Sequence, residues 1–299
     1  MSDPVVVTRS LVKHYGNVAA LDGLSLSVPR GSIYGFLGRN GAGKTTAIRV
    51  LAGLAHPASG EAKVFGLHPE RDRVALLGRT GFVIEKTLLP SLTGNELVRF
   101  NRGFFPGWSD ALAAKYAAAL EIPMDRKFRK LSQGNRTKLC LLMALAQGAE
   151  LLILDEPTLG LDPVITDQLL RILVDDVAAS GRTVLMSSHH LSEVEKIADW
   201  VGIVDRGRLL LEAQLDDIRS GYARLRVAGR ELPRQDPAIV TVAETEGVTE
   251  YVLRSGAGEF ATELRRQGAL VLDVSPMNLS EIFLELVGKE KHDALEVLA

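Results

Sequence analysis

Nine consecutive residues, GRNGAGKTT from Gly38 to Thr46, combine three glycines with a lysine and two threonines. Glycine lets the backbone turn tightly, so that several consecutive N–H groups point into one hollow. Lys44 then supplies a positive charge for the β- and γ-phosphates, and the Thr45 hydroxyl supplies an oxygen ligand for Mg²⁺. This spacing of glycines, lysine and threonine predicts a loop that binds a nucleoside triphosphate.

The residues around this loop predict a strand before it and a helix after it. Residues 32–37 are apolar, and a helical pattern runs over residues 45–51. The loop then lies at a helix N-terminus, where the peptide dipoles favour an anion. We expect Thr46 on the α-phosphate side, and we favour this interpretation over a glycine-rich turn that has a lysine by chance.

A second candidate for chemistry is LLILDEPTLGLD, residues 151–162, in which four apolar residues end at two carboxylates. A carboxylate at the carboxyl end of a parallel strand holds Mg²⁺ through water, and this role is expected of Asp155. Glu156 points in another direction along the pleat and is expected to polarise a water for attack on the γ-phosphate. The alternative, polar residues that merely end a strand, is less favoured because the phosphate loop lies upstream.

The elements that must position these residues form an α/β pattern. Apolar runs rich in β-forming residues alternate with helical patterns, which predicts a parallel sheet with helices on its faces. The predicted strands are residues 33–37, 81–84, 151–154, 183–187 and 201–204. Residues 1–30 alternate polar and apolar side chains, as in an antiparallel flanking sheet, whereas residues 86–148 are mostly helical in pattern and are predicted to form an insertion.

After about residue 218 the pattern changes, which predicts one domain over residues 1–218 and a small α+β domain over residues 219–299. The predicted strands of the second domain are residues 222–227, 238–242, 249–255 and 269–274, and its predicted helices are residues 259–267 and 279–287. Asn278, with Glu281 three residues later, is typical of a helix start. This domain has no evident chemical motif.

The composition excludes several classes of protein. A chain of 299 residues with 46% hydrophobic and 24% charged residues is an ordinary globular one, and its net charge of −2 argues against a nucleic-acid partner. Cys140 lies among leucines and is predicted to be a buried thiol. The first ten residues lack a signal-peptide pattern, and the longest apolar run is too short to cross a bilayer. We therefore expect a cytoplasmic protein, held at a membrane only by something else.

In their order along residues 5–215, these motifs resemble those of the ATP-binding subunit of an ATP-binding-cassette (ABC) transporter. GRNGAGKTT resembles the Walker A motif and LLILDE the Walker B motif. LSQGN (131–135) resembles the signature, LGLD (159–162) the D-loop and SSH (187–189) the switch-histidine motif. The resemblance implies the P-loop NTPase (RecA-like) fold, with a parallel sheet, an antiparallel β subdomain and a helical insertion. It also implies ATPase activity with ATP and Mg²⁺.

The resemblance implies a role for each matched residue. Nucleotide binding is implied for Tyr15, which stacks on adenine, for Gly38, Asn40, Gly41, Ala42, Gly43, Lys44, Thr45 and Thr46, and, across a dimer, for Ser132 and Gly134. Metal binding is implied for Thr45, Asp155 and Glu85. Catalysis is implied for Lys44, for Glu156 as the base and for His189, with His190 as the competing candidate for the switch histidine.

Two motifs depart from the family pattern. Glu85 occupies the position of the usual Q-loop glutamine, and a carboxylate offers an oxygen to Mg²⁺ or water but donates no hydrogen bond. In the signature, Gln133 replaces a glycine and Asn135 replaces a glutamine, whereas Ser132 and Gly134 retain the hydroxyl and the helix N-terminus of the phosphate clamp. Together with FFPGWSD (104–110), these departures resemble the ATPases of ABC-2-type exporters.

The expected protein is therefore a homodimeric ATPase that closes around two ATP molecules and powers the separate membrane subunits of an exporter from the cytoplasmic face. Residues 85–102 are expected to contact the membrane partner, and the C-terminal domain to regulate the motor or extend the dimer contact. Two alternatives remain. One is a soluble ABC ATPase of translation or DNA repair, which a single cassette without sustained heptads disfavours. The other is a regulatory nucleotide-binding protein without turnover, which the intact catalytic residues disfavour.

Overall fold

The computed structural model describes residues 3–84, 91–229, 233 and 235–296, with side chains through residue 288. The chain divides into two compact units, Met1–Glu212 and Ala213–Ala299. This division falls a few residues before the boundary that the sequence predicts after residue 218.

Two sheets form the framework of the first unit. Its strands are β1 (Val6–Tyr15), β2 (Val18–Val28), β3 (Ile33–Gly38), β4 (Ser59–Val64), β5 (Thr80–Val83), β6 (Leu151–Asp155), β7 (Thr183–Ser188), β8 (Trp200–Asp205) and β9 (Arg208–Gln214). A three-stranded antiparallel sheet has the order β2-β1-β4, and a six-stranded sheet has the order β5-β6-β7-β3-β8-β9. The five predicted strands of the parallel sheet and the antiparallel flanking sheet are thus confirmed, and no bound of the five strands differs by more than one residue.

The central strands are parallel and buried, which brings their carboxyl ends to one edge. β6, β7, β3 and β8 pair in parallel, with Leu154 opposite Met186 and Leu37 opposite Ser188. Every residue of β3, β6 and β7 is buried. Such continuous apolar strands are characteristic of a sheet that is covered on both faces.

Seven helices cover the sheets of this unit in the part that the structure describes. They are α1 (Lys44–Leu51), α2 (Arg73–Leu77), α3 (Gly94–Arg102), α4 (Asp110–Ala119), α5 (Gln133–Ala146), α6 (Pro163–Ser180) and α7 (Leu191–Ile197). The predicted helical insertion contains α3, α4 and α5. Polar side chains cap these three helices, since Thr93, Ser109 and Ser132 each accept a hydrogen bond from a backbone N–H in the first turn.

The second unit is an antiparallel sheet with helices. Its elements are α8 (Leu215–Gly221), β10 (Ala223–Ala228), β11 (Ile239–Thr245), β12 (Val248–Leu253), α9 (Ala257–Arg266), β13 (Leu270–Pro276) and α10 (Leu279–Glu296), with the strand order β11-β12-β10-β13. Leu225, Tyr251 and Leu264 belong to its apolar core. Asn278 and Glu281 exchange hydrogen bonds between side chain and backbone at 2.9 Å, so the predicted helix start is confirmed.

Two smaller expectations are also met. Cys140 is buried in α5, and this burial raises the pKa of its thiol to about 12, which agrees with a core thiol. In the described residues, no helix combines the length and the apolar content that crossing a membrane requires.

Candidate functional site

A cleft of about 550 Å³ opens at the carboxyl edge of the parallel sheet. Its walls come from the start of β2, the phosphate loop, the segment after β6 and the segment after β7. The residues that line it are Val18, Ala19, Ala20, Arg39, Asn40, Gly41, Gly43, Lys44, Thr45, Thr46, Glu156, Leu159 and His189. The structure therefore brings most of the predicted nucleotide-binding and catalytic residues to one place, although they lie far apart in the sequence.

Two glycines let the phosphate loop pack closely against its neighbours. A Cβ atom on Gly38 would lie 2.5 Å from the carbonyl oxygen of Val204, and one on Gly43 would lie 2.5 Å from that of Ala20. Gly43 also has a φ of 108°, a conformation that side chains disfavour. Both positions therefore require glycine, and Gly43 leads directly into α1 with no side-chain cap on the helix start. The first N–H groups of α1 thus keep their capacity for an anion.

Lys44 lies at the base of the cleft and is 5% exposed. Its ammonium group donates to the carbonyl oxygens of Gly38 at 2.6 Å and Arg39 at 3.3 Å. The same group lies 3.3 Å from Oε1 of Glu156. A buried ammonium needs such partners because taking a charge out of water is costly. The lysine is therefore held in place within the loop.

Glu156 contacts both Lys44 and His189 in the cleft. One of its carboxylate oxygens faces Lys44, and the other lies 2.8 Å from Nδ1 of His189. Its backbone has a φ of 49°, which is uncommon for a residue other than glycine. The residue therefore leaves the direction of β6, and its carboxylate enters the cleft between a lysine and a histidine.

The two adjacent histidines take different positions. His189 contacts Glu156 and lines the cleft, whereas His190 is the N-cap residue of α7. Their rings are in contact, with centroids 4.0 Å apart and planes tilted by 40°. Geometry thus favours His189 as the histidine that reaches a bound phosphate.

Asp155 is the last residue of β6 and is 3% exposed. Its Oδ1 accepts hydrogen bonds from the Thr45 hydroxyl at 3.2 Å and from the Ser187 hydroxyl at 2.7 Å. The described residues contain no cluster of three or more acidic, histidine or cysteine side chains that would hold a metal ion alone. One carboxylate beside one hydroxyl suits Mg²⁺, which takes oxygen ligands and commonly keeps waters and substrate phosphates in its coordination shell.

The signature residues lie elsewhere in the same chain. Ser132 is the exposed N-cap residue of α5 and accepts from the N–H of Asn135 at 3.3 Å. Gly134 packs against the D-loop, where an added Cβ would lie 2.7 Å from the carbonyl oxygen of Gly160. Neither residue lines the cleft. Tyr15 is 48% exposed at the end of β1 and pairs with Val18, which does line it.

Three further observations complete the comparison with the predicted site. Ala42 is buried within the loop, at 3% exposure, and does not line the cleft. Glu85, the predicted metal ligand at the Q-loop position, lies outside the described residues. The sequence prediction missed the cleft residues Arg39 and Leu159, although both lie within or beside quoted motifs. It also missed Ser187, because no local pattern indicates that a strand serine contacts a carboxylate on the neighbouring strand.

Comparison with known proteins gives one consistent result. Residues 21–159 match the family described as ABC transporter. The bacitracin transport ATP-binding protein BcrA of Bacillus licheniformis is 32% identical over 95% of this chain and 97% of its own length. The Nod factor export ATP-binding protein I of Cupriavidus pinatubonensis is 33% identical over 97% of this chain and 92% of its own length.

A solved structure extends the likeness to the fold. The structure of an ATP-binding subunit of an ABC transporter superposes with a TM-score of 0.65 at 26% identity, covering 72% of this chain and 92% of that one.

Proposed function

This chain belongs to the ABC transporter family as an ATP-binding subunit with ATPase activity, and on this premise we propose that it powers an exporter. Relatives that align over nearly their whole length carry names of bacitracin transport and Nod factor export, which supports export as the process. The observation that carries the assignment of catalysis is the position of Glu156. Its carboxylate lies between Lys44 and His189 in the cleft that the phosphate loop forms.

The phosphate loop binds the triphosphate of ATP. Backbone N–H groups of residues 38–46 and the start of α1 face the phosphates, and Lys44 exchanges its contact with Glu156 for the β- and γ-phosphates. Thr46 supports the α-phosphate. Tyr15, exposed beside the cleft, stacks on adenine, because an aromatic face attracts a base without specific hydrogen bonds.

Asp155 and Thr45 hold Mg²⁺ in this proposal. The hydroxyl of Thr45, which lines the cleft, lies 3.2 Å from Oδ1 of the buried Asp155, so the two oxygen donors are adjacent. A bound Mg²⁺ would supply positive charge that offsets the negative charge developing on the phosphates. Glu85 is proposed to contact this metal or its water in place of the usual glutamine.

Glu156 acts as the general base. It accepts a proton from the water that attacks the γ-phosphorus while the bond from this phosphorus to the β-phosphate bridging oxygen breaks, which yields ADP and inorganic phosphate. His189 holds the carboxylate in position and contacts the γ-phosphate. Lys44 stabilises the negative charge on the phosphate being transferred.

Dimerisation completes the nucleotide site in this proposal. Ser132 and Gly134 do not line the cleft of their own chain, yet they sit at the start of α5, where a hydroxyl and free N–H groups suit a phosphate. Two copies therefore sandwich two ATP molecules, and each supplies its signature to the nucleotide held by the other.

Separate membrane subunits receive the motion of the dimer. The helical insertion, predicted over residues 86–148, is proposed as the contact on the cytoplasmic face of the membrane. An exposed aromatic pair in it, Phe100 and Phe104 with ring centroids 4.9 Å apart, supports a protein partner there. Copurification from a native source identifies the partner, and its loss in the Phe100→Ala/Phe104→Ala variant tests the contact.

The substitution Glu156→Gln tests the proposal. It is expected to lower the ATPase kcat by about 100- to 10,000-fold, because the amide cannot accept the proton of the attacking water. ATP binding persists, and light scattering detects a dimer with ATP and Mg²⁺. Glu259→Gln, at an exposed carboxylate of α9, serves as the matched control and retains wild-type turnover.

Two results would overturn the assignment. A Glu156→Gln protein that binds ATP and hydrolyses it at the wild-type rate removes Glu156 from the reaction. A wild-type protein that binds ATP without turnover supports a regulatory role instead.

A further inference from the structure

A buried serine joins Glu156, which lines the cleft, to its buried neighbour Asp155. Ser187, near the carboxyl end of β7, has no exposed surface. Its hydroxyl donates to Oδ1 of Asp155 at 2.7 Å and accepts from the backbone N–H of Glu156 at 3.1 Å. One hydroxyl therefore fixes the carboxylate expected beside the metal and the peptide that carries the expected base.

We propose that Ser187 is a positioning residue that sets the orientation of Asp155 for Mg²⁺ and the direction of Glu156 for hydrolysis. This inference rests on the proposed function of the cleft. Ser187 itself touches neither substrate nor metal in the proposal, because it lies behind the carboxylates in the buried end of the strand.

The metal side of the proposal follows from the two hydrogen bonds to Oδ1 of Asp155. The hydrogen bond from the Thr45 hydroxyl is the longer of the two, at 3.2 Å. This hydroxyl would serve as a ligand of bound Mg²⁺. The hydrogen bond from the Ser187 hydroxyl is shorter, at 2.7 Å, and Ser187 belongs to a buried strand rather than to the loop. It therefore remains as the donor that keeps the carboxylate from rotating.

The catalytic side follows from the backbone of Glu156. Its φ of 49° lies in the left-handed region, which is unfavourable for a residue with a side chain. The N–H of Glu156 is held at this turn by two acceptors of one residue, the Ser187 hydroxyl at 3.1 Å and the Ser187 carbonyl at 3.2 Å. This double contact maintains the turn that sends the carboxylate between Lys44 and His189.

The next residue of the strand provides a matched control. Ser188 is equally buried, with no exposed surface, but its hydroxyl accepts from the N–H of His190 at 2.9 Å. Substitution of either serine by alanine removes one buried hydroxyl from the same strand. Only the substitution at Ser187 removes contacts with the two acidic residues.

The first experiment measures metal binding without turnover. Mn²⁺ replaces Mg²⁺ as the probe, and electron paramagnetic resonance reports its binding to the ADP complex of each variant. Ser187→Ala is expected to weaken Mn²⁺ binding by about tenfold, since partners that orient a metal ligand typically contribute 10- to 100-fold in affinity. Ser188→Ala keeps the wild-type affinity, and Ser187→Thr, which retains the hydroxyl, restores most of it.

The second measurement separates positioning from loss of structure. Ser187→Ala is expected to lower the ATPase kcat by about tenfold or more while the KM for ATP changes less than threefold, because the phosphate loop still binds the nucleotide. If Ser187→Ala does not fold, Ser187→Cys takes its place, and its weaker donor is expected to give a smaller shift in the same direction.

Wild-type Mn²⁺ affinity in a folded Ser187→Ala or Ser187→Cys protein would overturn the inference, as would an equal loss in Ser188→Ala. Failure of the proposed function gives a different result. In that case the wild type does not hydrolyse ATP, or Glu156→Gln still hydrolyses it. Suppose that the wild type hydrolyses ATP, that Glu156→Gln loses this activity and that Ser187→Ala is unaffected. This combination rejects only the role of Ser187.

Discussion

The two units of this chain differ in the kinds of side chain that they bury. Among the described side chains, the buried polar and charged residues belong to the first unit with one exception, Thr249. Lys44 and Asp155 lie at the carboxyl edge of the parallel sheet, and Asp176 of α6 pairs with Arg182, which precedes β7. The second unit has an apolar core instead, which contains Leu225, Tyr251 and Leu264.

The difference reflects how each sheet is covered. A parallel sheet is covered on both faces, so that strand ends and helix starts meet at one sheltered edge, where charges are held close to one another. The second unit is an antiparallel sheet, and its cluster of charges, Arg224 with Glu250 and Glu285, is made by side chains that are 28–36% exposed. The comparison predicts that charge substitutions have large effects in the first unit, whereas packing substitutions dominate in the second.

The largest effect on stability is expected from Arg182→Met. The Arg182 guanidinium lies 2.9 Å from the Asp176 carboxylate, and both side chains are 6% exposed. Removing one partner leaves a buried charge alone, which lowers the free energy of unfolding by about 3–5 kcal/mol. Urea unfolding measures this free energy. The double variant Asp176→Leu/Arg182→Met is expected to recover most of the lost stability. A loss below about 1 kcal/mol in the single variant contradicts the prediction that charge substitutions have large effects in the first unit.

A slightly smaller effect is expected from Leu225→Ala in the second unit. Leu225 has no exposed surface, and its truncation leaves a cavity that costs about 2–4 kcal/mol. Urea unfolding reports the loss, while ATPase turnover stays within about twofold, because Leu225 is not part of the cleft. Leu284→Ala, at a side chain that is 69% exposed, is the control and changes stability by less than about 0.5 kcal/mol. Equal losses of stability in Leu225→Ala and Leu284→Ala would contradict the prediction that packing dominates in the second unit.

Lys44→Met sharpens the comparison at the cleft. The substitution removes a positive charge from the phosphates, and hydrogen bonds to charged groups contribute about 1.5–3 kcal/mol, so ATP affinity is expected to fall by about 10- to 150-fold. A fluorescent ATP analogue measures this affinity. Lys63→Met, on β4 and paired with Glu61, serves as the control with unchanged affinity. Wild-type affinity in Lys44→Met is the result that the proposed site does not allow.

The smallest effect concerns an exposed ion pair of the first unit. The Arg79 guanidinium donates to Glu150 at 2.6 Å and holds the pKa of that carboxyl below its ordinary value. A lowered pKa in the folded state contributes stability above the unfolded pKa of about 4.3, and the contribution disappears as the pH falls through the folded value. Arg79→Met is therefore expected to be less stable than the wild type at pH 7 by under about 1 kcal/mol, and equally stable near pH 2.

Thermal unfolding at several pH values checks this dependence. A difference between the two proteins that grows as the pH falls would have the wrong sign and would reject the pair as its cause.

Much of the first unit was predictable because its signals are local. The apolar run before Gly38, the glycine spacing of the phosphate loop and the abrupt end of β6 at Asp155 are each contained within a few residues of sequence. The capping pair Asn278 and Glu281 was likewise readable from a spacing of three residues. The extension of α10 to Glu296 and the start of α5 at Gln133 depend on weaker boundary signals.

The sequence by itself determined the position of the glycine-rich loop that is proposed to bind phosphate and the strand that ends in carboxylates, since glycine conformations and apolar runs act over short distances. Only the tertiary structure decided that His189 rather than His190 meets Glu156, that Glu156 turns through a left-handed backbone, and that Ser187 lies between Asp155 and Glu156. The physical reason is that parallel pairing brings β6 beside β7, a contact between distant segments that no local pattern of side chains specifies.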